Sequence, residues 1–199
     1  MIKTKQTVVV MGGFKGGTSS IAGALSIMGV HMGDEITHRG EYEDTDVIDA
    51  TVDEIKEIIK KRNAEHEVWG WKYFALDRYI ESVKHHLINP KYVIVIRDVY
   101  ATALSQLSRC KTPHFIALTR AADEASSNYR FMMNNINSAN CIPISFEHLI
   151  RSPETVICGL VKSLNIDLPP ILIQKAIDFI QVGNYQHFVI RGQKAKLLP

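Results

Sequence analysis

"VVVMGGFKGGTSSIAGALSIMG", residues Val8 to Gly29, passes from an apolar β-branched run through glycines, one lysine and three hydroxyl side chains into an apolar-periodic segment. That order reads as a buried strand, a tight loop and a helix. Gly12 and Gly17 stand at the spacing of the phosphate-binding pattern G-x-x-x-x-G-K-[ST]. Glycines let the backbone bring its N–H groups against phosphate oxygens, and the following helix adds its positive end. An ordinary glycine-rich turn shares the spacing, but the strand before and the helix after favour an anion site. The position after Gly17, where a triphosphate-clamping lysine belongs, is Thr18, and the loop's lysine is Lys15. Backbone phosphate binding survives that change; the triphosphate clamp does not.

Outward from this loop, β-branched runs at 7–11, 68–71, 92–96 and 141–145 read as strands. Helical patterns fall at 18–29, 44–62, 76–88, 99–109, 114–138, 153–165 and 170–181. Near-continuous apolar strands alternating with helices predict an α/β fold, a parallel sheet covered on both faces. Sites in such sheets lie at the carboxyl ends of strands. Here those positions hold the glycine loop, Lys72, Arg97-Asp98 and Phe146-Glu147. Strand order is not readable at this level.

The chain has 199 residues, 46% of them hydrophobic and 22% charged, which fits one domain with a sizeable core. A formal charge of +2 argues against bulk nucleic-acid binding, so any basic function rests on a few placed residues. Three widely spaced cysteines (Cys110, Cys141 and Cys158) form no Cys-x-x-Cys pair, so neither a disulfide framework nor a zinc site is expected. No apolar run approaches the roughly 18 residues of a membrane span. The expectation is a cytoplasmic protein with no membrane partner; oligomeric state is not readable.

"KYVIVIRDVYATALSQLSR", 91–109, carries a second anion-binding signal. A kinase often places an aspartate at such a strand end to hold magnesium. Arg97 stands there instead, offering forked donors to phosphate, and Ser105 follows two helical turns later. A surface Arg97–Asp98 pair is the plainer alternative.

Together these segments resemble the sulfotransferases that use 3′-phosphoadenosine 5′-phosphosulfate (PAPS), particularly bacterial-type members. "GFKGGTSS" is similar to their P-K-S-G-T-T or P-R-S-G-T-S loop, with Phe14 for proline and Lys15 for the basic residue. Gly16 stands for serine, and Gly17, Thr18 and Ser19 for G-T-T/S. Arg97, Asp98 and Ser105 match R-D-P-x-x-x-x-x-S, with Val99 for proline. "GEYED" (40–44), "WGWKYF" (69–74) and "ISFEHLIRSPETVICGLVKSLNI" (144–166) extend the likeness; Tyr73 stands where relatives carry an acid. Arg191-Gly192 echo their R-K-G loop.

The resemblance implies a P-loop NTPase-like three-layer fold and sulfuryl transfer from PAPS to a hydroxyl or amine of a small molecule or sugar. Donor binding falls to Phe14, Lys15, Gly16, Gly17, Thr18 and Ser19 at the 5′-phosphate, and to Arg97 and Ser105 at the 3′-phosphate. Two anion sites suit a bisphosphorylated adenosine better than a linear triphosphate. Without proline and serine, the loop is expected to be looser or differently shaped than in relatives. Sulfuryl transfer needs in-line positioning, charge stabilisation on the leaving group and a base. No metal is expected, because a sulfuryl group carries less charge than a phosphoryl group.

Lys15 is the candidate for leaving-group stabilisation, Lys72 for steadying transferred oxygens and Glu43 for the base. Glu43 also reads as an acid at a helix start, His31 and His38 as alternative bases, and Lys72 as a surface partner of Asp77. His85-His86 reads as a favourable helix end. Residues 31–67 and 110–140 are assigned to the acceptor side, with Tyr42, Trp69, Trp71, Phe115 and Tyr129 as candidate lining. Two other functions stay open: a small P-loop kinase and a nucleotide-binding protein without catalysis.

Overall fold

The computed structural model describes residues 5–33, 42–72, 79–110, 113–135 and 140–181. Strands β1 (Gln6–Gly12), β2 (Val68–Lys72), β3 (Lys91–Ile96) and β4 (Cys141–Ser145) form one sheet. All pairs are parallel, in the order β2-β1-β3-β4. Side chains alternate across each strand, so one sequence run feeds two cores. Val8, Val10, Val93 and Val95 face one cluster; Val9, Met11, Tyr92 and Ile94 face the other.

The first cluster is closed by α1 (Thr18–Ile27), α6 (Phe146–Arg151), α7 (Pro153–Leu164) and α8 (Pro170–Gln181). The second is closed by α2 (Val52–Glu65), α3 (Ile80–Val83) and Phe131 of α5 (His114–Asn135). Helix α4 (Val99–Cys110) packs on α5 through Ala103, Ala117 and Ala121, whose small side chains let the helices approach. This is the expected helix–sheet–helix arrangement. Pro143 sits in β4, an edge strand where a missing N–H is tolerated.

Three elements differ from the sequence-based expectation. The helix anticipated from residue 44 begins at Val52, because Thr51 and Glu54 form a reciprocal capping box there. Asp44 is instead fully buried against the Arg62 guanidinium, which also reaches Asp46 at 2.9 Å and stacks over Trp69. The 76–88 helix shortens, within the described residues, to α3 and one 3₁₀ turn at Lys84–His86. Helix α6 was not anticipated; Ser145 starts it by accepting from the His148 N–H at 3.2 Å.

Breaking a buried ion pair strands the remaining charge in a poorly solvated site. Arg62→Ala is therefore expected to lower unfolding stability by about 3–5 kcal/mol, read by urea denaturation; a change under about 0.5 kcal/mol, ordinary for a surface residue, would show that the pair holds nothing together. Tyr92, packed edge-on against Phe131 at 5.1 Å, has its phenol pushed up to about 12, first by burial and then by the Glu81 charge. The unfolded chain then releases this proton near its ordinary value of about 10 while the folded chain keeps it. Stability from this group is present below about pH 10 and lost as pH rises toward about 12. Tyr92→Phe should flatten that part of the alkaline stability profile, measured against the parent protein.

Candidate active site

The carboxyl ends of β2, β1 and β3 lie side by side, and each delivers one anticipated cation. Lys72 ends β2, Lys15 lies in the loop after β1, and Arg97 follows β3. This is the switch point of the sheet, where open α/β folds place their ligand crevice.

The loop owes its shape to glycine and to an unusual lysine. Lys15 has φ 61, the left-handed region that side chains rarely adopt. Gly16 donates to the Gly13 carbonyl at 2.8 Å, and a Cβ at Gly16 would fall 2.7 Å from that same oxygen. The serine of the resembling loops therefore does not fit this turn. Gly17, at φ 92, is the N-cap of α1 and carries the Phe146 ring directly against it, leaving no room for a side chain. No side chain caps α1, and its first turn carries no acid. Apart from the Ser20 N–H, which reaches the Gly17 carbonyl at 3.1 Å, first-turn N–H groups have no acceptor in the i−4 ladder, so this end attracts anions. Thr18 is buried with its methyl over Gly12, and it carries no charge to clamp a triphosphate.

Side chains of neighbouring elements bond to the loop backbone. Arg97 Nη1 donates to the Lys15 carbonyl at 2.8 Å and stacks over Phe146 at 4.7 Å. Gln106 of α4 donates to the Phe14 carbonyl at 3.0 Å. A trans peptide points its C=O and N–H in opposite directions. Holding the Phe14 carbonyl toward α4 thus turns the Lys15 N–H the other way. Asp98 is not the partner of Arg97: its carboxylate caps α4 by accepting from the Ala101 N–H at 2.7 Å. Glu147 accepts from the Asp98 N–H at 3.0 Å and thereby ties the β4 end to the β3 end.

On the other flank, Lys72 Nζ donates to Glu43 Oε1 at 2.8 Å and to Ser19 Oγ at 3.4 Å. Both charged side chains are largely buried, 5% and 12% exposed. Glu43 lies well before α2, so it does not cap that helix. Lys72 is a buried residue of the sheet end rather than a surface lysine; Asp77, its other anticipated partner, lies outside the described residues.

The other anticipated residues differ in their surroundings. Ser105 is half-buried two turns along α4, the helix from which Gln106 reaches the loop. His31 pairs with Trp69, three residues before Lys72, and stacks on His66 at 3.8 Å, toward the amino end of β2. Trp69 and Trp71 stack on each other at 5.3 Å and are buried in the core, where neighbouring β1 and helix α2 cover them. Tyr42 packs edge-on against Phe179 and Phe115 is exposed on α5, whereas Tyr129, also on α5, lines a cavity with Gly13, Gly16 and Arg97. His38, Tyr73, Arg191 and Gly192 lie outside the described residues. Helix α5 does not stand clear of the glycine loop as anticipated: Glu124 accepts from the Phe14 N–H at 2.8 Å. Gln106 and Glu124 were missed because their partner, Phe14, lies 92 and 110 residues away along the chain, and Arg120 because it acts with Glu124. The i,i+4 spacing of Arg120 and Glu124 was the only local signal.

Among the described residues, no group of three or more histidine, cysteine or acidic side chains could hold a metal ion, and no helix is long and apolar enough to cross a membrane.

No protein-family profile and no curated protein sequence matches the chain. Solved structures do. A sulfotransferase domain from an olefin synthase of Synechococcus superposes with TM-score 0.65 at 16% identity, over 94% of this chain and 81% of that one. A mouse sulfotransferase complexed with PAP gives 0.63 at 13%, over 89% and 65%. A retinol dehydratase in complex with retinol and PAP gives 0.56 at 9%, over 94% and 69%. The fold is therefore that of the sulfotransferases, the P-loop NTPase-like arrangement expected from the sequence resemblance.

The buried Lys72–Glu43 pair yields a stability test. Lys72→Met leaves Glu43 uncompensated and is expected to lower stability by about 3 kcal/mol. Adding Glu43→Gln should recover most of it, because an amide tolerates burial better than a lone charge. Additive losses in urea titrations of the double variant would deny the coupling.

Proposed function

We propose that this chain is a sulfotransferase, moving a sulfuryl group from PAPS to a hydroxyl or amine of a small-molecule or carbohydrate acceptor. The observation that carries the proposal is the meeting of Lys15, Lys72 and Arg97 around one helix start that no side chain caps. A sulfotransferase fold and a sequence resemblance at those same positions support it. A similar structure, a retinol dehydratase in complex with retinol and PAP, supports a small-molecule acceptor.

The residues present fit the donor. Close backbone approach at Gly16 and Gly17 and the positive end of α1 suit a phosphate. When bound, PAPS supplies the sulfuryl group and leaves as adenosine 3′,5′-bisphosphate. The loop N–H groups, with the Thr18 and Ser19 hydroxyls, hold the 5′-phosphate, while Phe14 and Gly16 set the loop's contour. Arg97, aided by Ser105, holds the 3′-phosphate. The Lys15 ammonium faces the charge that develops on departure. Glu43 takes the acceptor proton, and Lys72 orients Glu43 through their ion pair. Residues 1–199 act as one domain in the cytoplasm, without nucleic-acid or membrane partners and without a metal.

A small-molecule kinase is disfavoured by neutral Thr18 after Gly17 and by Arg97 at the end of β3. Ligand-induced thermal stabilisation separates the two. Adenosine 3′,5′-bisphosphate is expected to raise Tm more than ADP or Mg-ATP; preference for Mg-ATP would overturn the proposal. Lys15→Ala should lower turnover about 10²–10³-fold, whereas a binding protein without catalysis shows no turnover to lose. Equal affinity of the parent for nucleotides with and without the 3′-phosphate would remove Arg97 from its assigned role.

A further inference from the structure

Phe14 replaces the proline of the resembling loops and so brings two things a proline lacks: an N–H and an aromatic face. Both are engaged. Glu124 of α5 accepts the Phe14 N–H through Oε2 at 2.8 Å, while its Oε1 accepts from Arg120 Nε at 2.9 Å. The Arg120 guanidinium lies 4.4 Å from the centroid of the Phe14 ring, and the Lys15 ammonium lies 4.8 Å from that same centroid. Glu124 also presses on the preceding residue, since a Cβ at Gly13 would fall 3.1 Å from its carboxylate. Gln106 holds the carbonyl side of Phe14.

A ring face attracts cations within about 6 Å, so Phe14 gives Lys15 a preferred resting place. The peptide and the ring are in turn held from α5. A lysine chain has four rotatable bonds, so a contact with the ring narrows the positions its ammonium samples.

We propose that Arg120 and Glu124 are positioning residues for the donor loop, acting on the Lys15 ammonium through the Phe14 peptide and ring. This rests on reading the loop as the donor site. Helix α5 thereby does the work that a proline ring does by restricting its own backbone. It also gives the loop a handle outside the strand ends, because Arg120 is partly exposed.

Two measurements, one made without ligand, test it. In the ligand-free protein, hydrogen exchange at the Phe14 amide should be slow in the parent and at least about tenfold faster in Glu124→Ala, as loss of one charge-assisted bond implies. Exchange at core amides such as Val9 should stay as in the parent. Glu124→Gln keeps an accepting oxygen and should restore much of the protection. The Lys15 Hε protons should show an upfield ring-current shift that Phe14→Leu abolishes and Arg120→Ala reduces. A merely structural role would lower Tm without moving that shift. Adenosine 3′,5′-bisphosphate should then bind about tenfold more weakly to Glu124→Ala than to Glu124→Gln. Unchanged Phe14 exchange in Glu124→Ala, or an unshifted Lys15 signal in the parent, would overturn the proposal. A parent that passes both ligand-free measurements yet does not bind the bisphosphate keeps the clamp and instead overturns the donor-site reading.

Discussion

The bond from the Arg97 guanidinium to the Lys15 carbonyl organises the strand-end face of this molecule. It joins the loop after β1 to the end of β3, the strand beside it. It also stabilises a lysine in left-handed backbone, a conformation costing of order 1 kcal/mol or more that persists only where its surroundings compel it. Arg97 is itself held over Phe146, and Phe146 lies against Gly17. Three consecutive strand ends are thus fastened through one guanidinium, with Glu147 adding a second tie from β4 to β3. The loop's carbonyl groups are drawn into protein contacts on one side, and opposite-facing N–H groups follow from peptide planarity.

Placement of charge matters more here than its total. A net charge of +2 creates no broad field. Yet Lys15, Lys72 and Arg97 gather at the start of α1, while nearby carboxylates have defined tasks. Glu43 faces Lys72, Glu124 takes a loop amide, and Glu147 takes the Asp98 amide. Each of these acids accepts from a named donor, and the first turn of α1 itself carries no acid. Such an arrangement suits an anionic ligand held by backbone and a few cations.

The sheet makes this possible by being rigid beneath the loop. Valines 8, 9 and 10 are wholly buried between two helical layers, so β1 ends at a defined height and angle. At the far flank, the Asp44–Arg62 pair and the Asn63 bond to the Trp69 indole at 3.0 Å tie α2 to the chain beside β2. That anchoring fixes the segment from which Glu43 reaches Lys72. Its apolar neighbours contribute most of the stability, at about 25 cal/mol per Å² of buried apolar area.

Much of this was written locally. Near-continuous β-branched runs and the glycine spacing after Val10 determined four strands, a parallel covered sheet and a tight glycine loop, because each depends only on neighbours within a few residues. Arg97 and Lys72 were legible for the same reason: each directly follows or ends an apolar run. What local pattern could not determine were contacts across the fold. Phe14 meets Glu124, Lys15 meets Arg97 and Lys72 meets Glu43 across 110, 82 and 29 residues, and chain closure alone sets no preference among such pairings. The same holds for Asp44, whose acidic surroundings read as a helix start until Arg62 claimed it in the interior. Tertiary packing chose those partners, because a charge leaving water is stabilised only where the fold presents its counterpart.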